Sequence, residues 1–388
     1  MPAPDPIYLD HAATTPVRRE VLDAMEPYHS VRFGNPSSTH RWGREARAAL
    51  GEARECVARC LGANPDEVAF TSGGTEADNL AILGMWRAVK DKGRLGIVTT
   101  PVEHKAVLAA VHQAAREGAW ERMAGMRPDG IVDRASFESA LGTDTAVCTV
   151  MWVNNEIGTI QPIAELAAAA RARGARFHTD AVQALGKVTI DVSALPVDVL
   201  TVSGHKVGAP KGIGAIFIRR GTPLEPLLFG GSQDKGRRPG TENVAAAIGF
   251  ARAAELAVAE RDAECARLGA LRDRLERAIM ERIPDAVIHG RGAPRVSHIL
   301  NVSVPGTDAE SMLMALDLAG VAASSGSACQ SGSSSPSHVL SALGVAPDIA
   351  SAAIRMSLGC LTTPACVERV AQLFPALAAK ARGAEIAT

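Results

Sequence analysis

Four stretches of this chain hold residues that could do chemistry. The segment 324–337, SSGSACQSGSSSPS, sets one thiol, Cys329, among serine, glycine and alanine. That composition reads as a flexible linker or as a loop that carries a reactive thiol. In VDVLTVSGHKVGAPKGIGAIF (197–217) an apolar strand runs into Ser203, Gly204, His205 and Lys206, then a turn rich in glycine and proline. Lys206 there is either solvated or desolvated, and a desolvated amine of lowered pKa condenses with carbonyl compounds. The GxxxxGK[ST] and GxGxxG patterns are both absent, which weakens a nucleotide reading.

The third stretch, TSGGTEADNL (71–80), ends a strand and opens a helix at Gly73-Gly74-Thr75. Free backbone N–H groups and a threonine hydroxyl make an anion site. The same residues also read as a plain cap, with Thr75 capping and Asp78 three residues on. The fourth stretch, FHTDAVQALG (177–186), puts Asp180 and Gln183 just past a strand. This is turn chemistry, or a carboxylate at the carboxyl edge of a parallel sheet, where ligands of open α/β folds bind. A buried aspartate needs a cation, and a pyridinium nitrogen is one. A phosphate cradle, a reactive lysine and an acid for a ring nitrogen are the parts that pyridoxal 5'-phosphate requires.

These residues need elements to hold them. Strands are expected at 67–73, 94–100, 145–155, 175–181, 197–204 and 214–220, and helices at 75–90, 104–117 and 163–173. Such alternation implies βαβ units and a mostly parallel central sheet flanked by helices. From Glu242 to Ile283 few breakers occur, so a long helix is expected, interrupted near Gly249 or Gly269 and ended by Pro284. Strands near 297–306 and 352–359 then imply a smaller C-terminal α/β domain. The expected division is an N-terminal segment 1–15 packing with the small domain, a large domain 16–262, and a small domain 263–388 that carries the loop 324–337.

The bulk numbers narrow the class of function. The chain has 388 residues, 47% hydrophobic and 21% charged, with a net charge of −1. That balance gives no electrostatic case for nucleic acid or an anionic membrane. No apolar run is long enough for a membrane span or a signal peptide, so a cytoplasmic protein is expected. Seven cysteines without a CxxC pair argue against a disulfide framework and a structural zinc site. No metal is expected.

Eleven stretches, spread over nearly the whole chain, carry a family resemblance: YLDHAATTP, GNPSSTHRWG, TSGGTEADNLA, EHKAV, VNNEIGTIQPI, HTDAVQALGK, SGHKVGAPKGIG, RRPGTENV, SSGSAC, SHVLSALG and IRMSLG. Their set and order resemble the cysteine desulfurases of the NifS/IscS type, within the fold type I pyridoxal-phosphate enzymes. The resemblance implies that Lys206 bonds the cofactor, Asp180 pairs with its ring nitrogen and Gln183 with its phenolic oxygen. It implies that Gly74, Thr75, Ser203 and His205 hold the phosphate and that His104 stacks on the ring and moves protons. Asn155 would contact cofactor or substrate. Arg355 would clamp the substrate carboxylate, with Asn35 as a second candidate. Thr241 would reach the phosphate of the other subunit of a homodimer. Cys329 would be the nucleophile that takes sulfur from L-cysteine, leaving L-alanine, and hands it to an acceptor or iron–sulfur scaffold protein.

Two departures from the family pattern stand out. Cys360 follows SLG where relatives often carry arginine. SGSSSPS replaces bulkier or acidic residues after the thiol, which leaves the acceptor open. The rival readings are a selenocysteine lyase or another sulfur or amino-group enzyme on this fold, and a catalytically silent scaffold for sulfur acceptors.

Overall fold

The computed structural model describes residues 5–326 and 336–384, so Cys329 and most of the serine-rich stretch lie outside the described residues. Strands run at Ile7–Tyr8 (β1), Val68–Thr71 (β2), Gly96–Thr99 (β3), Trp120–Met123 (β4), Thr145–Thr149 (β5) and Arg176–Asp180 (β6). They continue at Val199–Ser203 (β7), Gly214–Ile218 (β8), Val287–Ile288 (β9), Ile299–Ser303 (β10), Val321–Ala322 (β11) and Ala353–Ser357 (β12).

Seven strands form the main sheet in the order β2-β8-β7-β6-β5-β3-β4. From β4 to β7 all neighbours are parallel, and β8 is antiparallel to both β7 and β2. Residues of β2, β3, β5, β7 and β8 are buried along their whole length, because helices cover both faces. A consequence follows for position. The carboxyl ends of β2, β3, β5, β6 and β7 all reach one edge of the sheet, and the loops that leave this edge begin with the residues of interest.

The larger apolar clusters fall in two regions, one on both faces of the main sheet and one around the small sheet. The large one gathers Phe137, Phe177, Phe217 and Phe250 around the main sheet. The smaller gathers Leu275, Ile279, Leu300, Met356 and Phe374 around the antiparallel sheet β12-β10-β9, and it includes Ile7 and Leu9. β1 pairs in parallel with β11, and Asp10 bridges to Ser357 at the end of β12. The first described residues are thereby tied to a strand more than 300 positions away.

Three sequence expectations change. The expected strand 145–155 keeps a regular ladder only to Thr149. Beyond β3 the neighbouring edge is empty, so the Met151 N–H donates to the Glu103 carboxylate, and Asn154 then turns the chain by accepting from the N–H groups of Glu156 and Ile157. The long helix breaks at Glu260, between Val244–Ala259 and Arg261–Arg282, and not at either glycine. Glu260 is held there by two bonds from Arg18, each 2.8 Å. Gly249 stays inside its helix because Met25 comes so close that a Cβ would stand 2.4 Å from its sulfur. A third change is an addition: the 21-residue helix Arg41–Leu61, ended by Gly62 in the left-handed conformation, packs on Val244–Ala259.

Gly359 marks a close approach between the N-terminal segment and the chain that leaves the small sheet. A Cβ there would stand 2.3 Å from the His11 ring. Gly359→Ala is expected to destabilise the fold by about 1–3 kcal/mol, the usual cost of overpacking. Urea unfolding measures it, and an unchanged midpoint would show that the segment yields instead.

Candidate active site

A cavity of about 340 Å³ opens at the carboxyl edge of the main sheet. Lys206, Asp180, Gln183, His104, Ser203 and His205 all line it. So do Gly74, Thr75, Asn155 and, from β12, Arg355. Residues from positions 12 to 355 therefore meet in one space.

Lys206 ends a short turn, Gly204–Lys206, that follows β7. Its Nζ donates to the carbonyls of Ala12 and Ala13 at 2.6 and 2.7 Å. Those acceptors come from the N-terminal segment, which packs in the small core at Ile7 and Leu9 and joins the large one at Ala12. Gln183 donates its Nε2 to the same Ala12 carbonyl at 2.9 Å.

Asp180 is the last residue of β6 and only 5% exposed. One carboxylate oxygen accepts from the Val182 N–H at 2.9 Å. Burial pushes its pKa up, while His104 and Lys206 pull it down. Asp78, Asp180 and His104 each place a ligating atom within 4.8 Å of the others. Asp78 is fully buried, accepts from the Thr201 hydroxyl at 2.6 Å and is raised in pKa by burial and by Asp180. Burial lowers the pKa of His104, whose Nδ1 accepts from the Ala106 N–H and caps the helix Lys105–Arg116. Two carboxylates so close in a dry site demand a cation or a shared proton.

The helix Gly74–Lys90 points its start at the same cavity. Its cap is Gly73, which has no capping side chain. The reading of Thr75 as cap with Asp78 behind it is corrected: Thr75 lies inside the first turn, and Asp78 reaches down to β7 instead. A Cβ on Gly74 would stand 2.9 Å from Val182, so the cradle admits only glycine without displacement. Ser203 and His205 flank it, and burial brings the His205 pKa down to about 4, so its imidazole is neutral.

Open N–H groups at a helix start suit a phosphate, and the under-bonded Asp180 suits a ring N–H⁺. A model of the class-V aminotransferases matches residues 7–370. The cysteine desulfurase IscS of Dictyoglomus turgidum is 47% identical over 357 residues, 92% of this chain and 90% of the relative.

This chain is a class-V aminotransferase of the cysteine desulfurase family.

Among solved structures, a NifS-like protein superposes with a TM-score of 0.90 at 33% identity, covering 97% of this chain and 100% of that one. A structure described as SspA in complex with cysteine gives 0.79 at 33% identity, covering 91% and 98%. These likenesses also establish the expected fold type I architecture. Class-V aminotransferases and NifS-like proteins use pyridoxal phosphate as a family. The glycine cradle and the buried aspartate of this desulfurase fit that group.

Two expected site residues stand apart from the cavity. Asn35 is exposed and its side chain accepts from the Ser37 N–H. Thr241 is exposed beside the helix Val244–Ala259. Neither lines the cavity of its own chain. Cys329 lies outside the described residues. Arg355 does line it, yet it is 1% exposed and already engaged, with one nitrogen on Asp10 at 2.7 Å and another on the Asn155 carbonyl at 2.9 Å. Among the described residues its Nε has no partner.

Sequence reasoning missed Asp10, the carbonyls of Ala12 and Ala13, Asp78 and Glu103. All of them lie in stretches that carry the resemblance, so the signal was present without a role attached. Glu103 is fully buried beside His104, accepts from Thr100 and Met151, and has one oxygen without a partner among the described residues. Burial raises its pKa from 4.5 to about 8. Between those values the folded state holds a proton that the unfolded state has lost, so stability falls as pH rises through this range. Glu103→Gln removes that slope. Thermal unfolding from about pH 5 to 8 is expected to show the wild type losing ground to the variant, and parallel curves would show Glu103 ionised throughout.

Proposed function

We propose that this desulfurase converts L-cysteine to L-alanine with pyridoxal 5'-phosphate in the first cavity and carries the sulfur as a persulfide on Cys329. The convergence of Lys206, Asp180 and the uncapped Gly73–Thr75 helix start on one cavity carries this reading. The cysteine described in the SspA structure supports the choice of substrate. The cofactor, when bound, would supply an electron sink for the substrate's α-carbon.

The chain's own groups would do the rest. Lys206 would leave the Ala12 and Ala13 carbonyls to bond the cofactor and later move the proton at the substrate α-carbon. Asp180 would hold a protonated ring nitrogen, which answers its burial. Gln183 and Asn155 would contact the phenolic oxygen, and His104 would lie against the ring. The N–H groups at Gly74 and Thr75, with Ser203 and His205, would take the phosphate, and Thr241 would reach it from the second subunit of a homodimer. Arg355 would bind the substrate carboxylate by trading a contact, which makes Asp10 the group that holds it ready. Asn35 remains a second candidate for that carboxylate, from its own or the other subunit.

Cys329 would attack the substrate sulfur as a thiolate. The Cβ–S bond breaks and an S–S bond forms at Cys329. The released electron pair stays with Cβ, which is protonated to the methyl of alanine. An acceptor protein, with an iron–sulfur scaffold the first candidate, would then take the outer sulfur. The sites divide between the two cores, and we place the boundary near residue 262 as the sequence suggested. Among the described residues no helix is long and apolar enough to cross a membrane; a cytoplasmic setting is part of the proposal.

Alanine and sulfide release from L-cysteine, with and without reductant, tests the function. Cys329→Ser is expected to keep the bound-cofactor absorbance and lose at least about 100-fold in alanine release, because a serine hydroxyl is a far weaker nucleophile near neutral pH. Mass spectrometry should find the persulfide on residue 329 of the wild type. Alanine release at the wild-type rate would remove Cys329 from the reaction.

Arg355→Lys keeps a cation beside Asp10 but loses the planar fork that grips a carboxylate. Its kcat/KM for cysteine is expected to fall by about 10- to 100-fold with cofactor absorbance intact. An unchanged kcat/KM would move the carboxylate to another group.

A further inference from the structure

A second cavity, of about 360 Å³, shares only Lys206 and Gln183 with the first. It is built from both cores. Gly186 and Lys187 come from the turn after β6, Leu358 and Cys360 from the chain after β12, Leu268 from the helix Arg261–Arg282, and His11 from the N-terminal segment.

The charges in its wall do not cancel. Arg18 is matched by Glu260 in a two-bond pair. Arg267 is matched by Glu264 in another, at 2.9 and 2.8 Å, and spends its remaining N–H groups on the carbonyls of Thr362 and Gly359. Lys187 is different. Among the described residues its amine has no hydrogen-bond or ion-pair partner, and burial lowers its pKa.

Two histidines complete the polar wall. Among the described residues neither ring nitrogen of His11, which is 4% exposed, has a partner, nor does the Nδ1 of His298, which is 2% exposed. Burial brings the His11 pKa to about 4 and drives that of His298 well below its usual value, so both rings are neutral and add no charge. Apart from Lys206, whose amine is held by the Ala12 and Ala13 carbonyls, the wall therefore carries one uncompensated cation. Leu268, Leu358 and Ala257 add apolar surface to the same lining.

One unpaired ammonium selects a monoanion, since a dianion would face Glu260 and Glu264 with charge to spare. A space of this size with an apolar side favours an organic anion over a halide. We infer that this second cavity binds a short-chain monocarboxylate, its carboxylate on Lys187 and its alkyl part against Leu268, Leu358 and Ala257. The inference does not rest on the chemistry proposed for the first cavity.

Propionate is the probe, because it has no amine to react as an amino acid would at Lys206. Equilibrium dialysis of labelled propionate is run against the full-length, cofactor-loaded wild type, Lys187→Gln and Lys187→Arg. The wild type is expected to bind one equivalent per chain that Lys187→Gln binds at least tenfold more weakly and that Lys187→Arg retains. Any propionate held by Arg355 in the first cavity is common to all three proteins. Neutral propionamide in tenfold excess should not displace the Lys187-dependent equivalent. Equal binding by wild type and Lys187→Gln, including no binding by either, overturns the inference, as does displacement by propionamide. Should Lys187→Gln fail to fold, Ala257→Leu narrows the same cavity from its apolar side and is held to the same expected loss.

Discussion

A carboxylate at the end of a buried parallel strand has to be answered by a cation. Asp180 is that carboxylate, and everything at the sheet edge is arranged around its demand. It has one backbone hydrogen bond, a second carboxylate in Asp78 nearby, and a desolvated His104 beside it. Left alone, the pair would keep a proton. A phosphorylated pyridinium would satisfy the aspartate at its nitrogen and the bare helix start at its phosphate, with one rigid ring spanning the two. The same sheet fixes both positions, because β2, β6 and β7 end at one edge.

The second constraint is the seam between the cores. Lys206 belongs to the large core, but the carbonyls that hold its amine come from residues 12 and 13, which enter from the small one. Arg355 belongs to the small core, and its guanidinium reaches Asp10 and the Asn155 carbonyl. The N-terminal segment thus touches the two charged groups that the proposed reaction needs most. A shift between the cores would displace Arg355 relative to Lys206. Both cavities sit on this seam, and Lys206 walls each of them.

Much of the site could be read from residue types and order. Lys206, Asp180, the Gly73–Thr75 helix start and the cysteine-bearing loop stood out by type and local spacing, and the eleven stretches supplied the family. The strands at 68–71, 96–99, 176–180, 199–203 and 214–218 follow from short apolar runs bounded by turn residues. The break at Glu260 was misplaced because the responsible contact, with Arg18, is 242 positions away. Local propensity pointed to the glycines, and long-range pairing decided otherwise.

The sequence by itself determined which groups are present and where regular backbone can form. Those are local properties: periodicity, turn chemistry, and the reactivity of a lysine, an aspartate and a thiol. Only the tertiary structure decided which of these groups share a dry space. Asp78 became a neighbour of Asp180 because its helix lies across β7, and Lys187 became an unanswered cation because every nearby carboxylate was already taken by an arginine. Burial and pairing are properties of the whole packed chain, so no short window of sequence contains them.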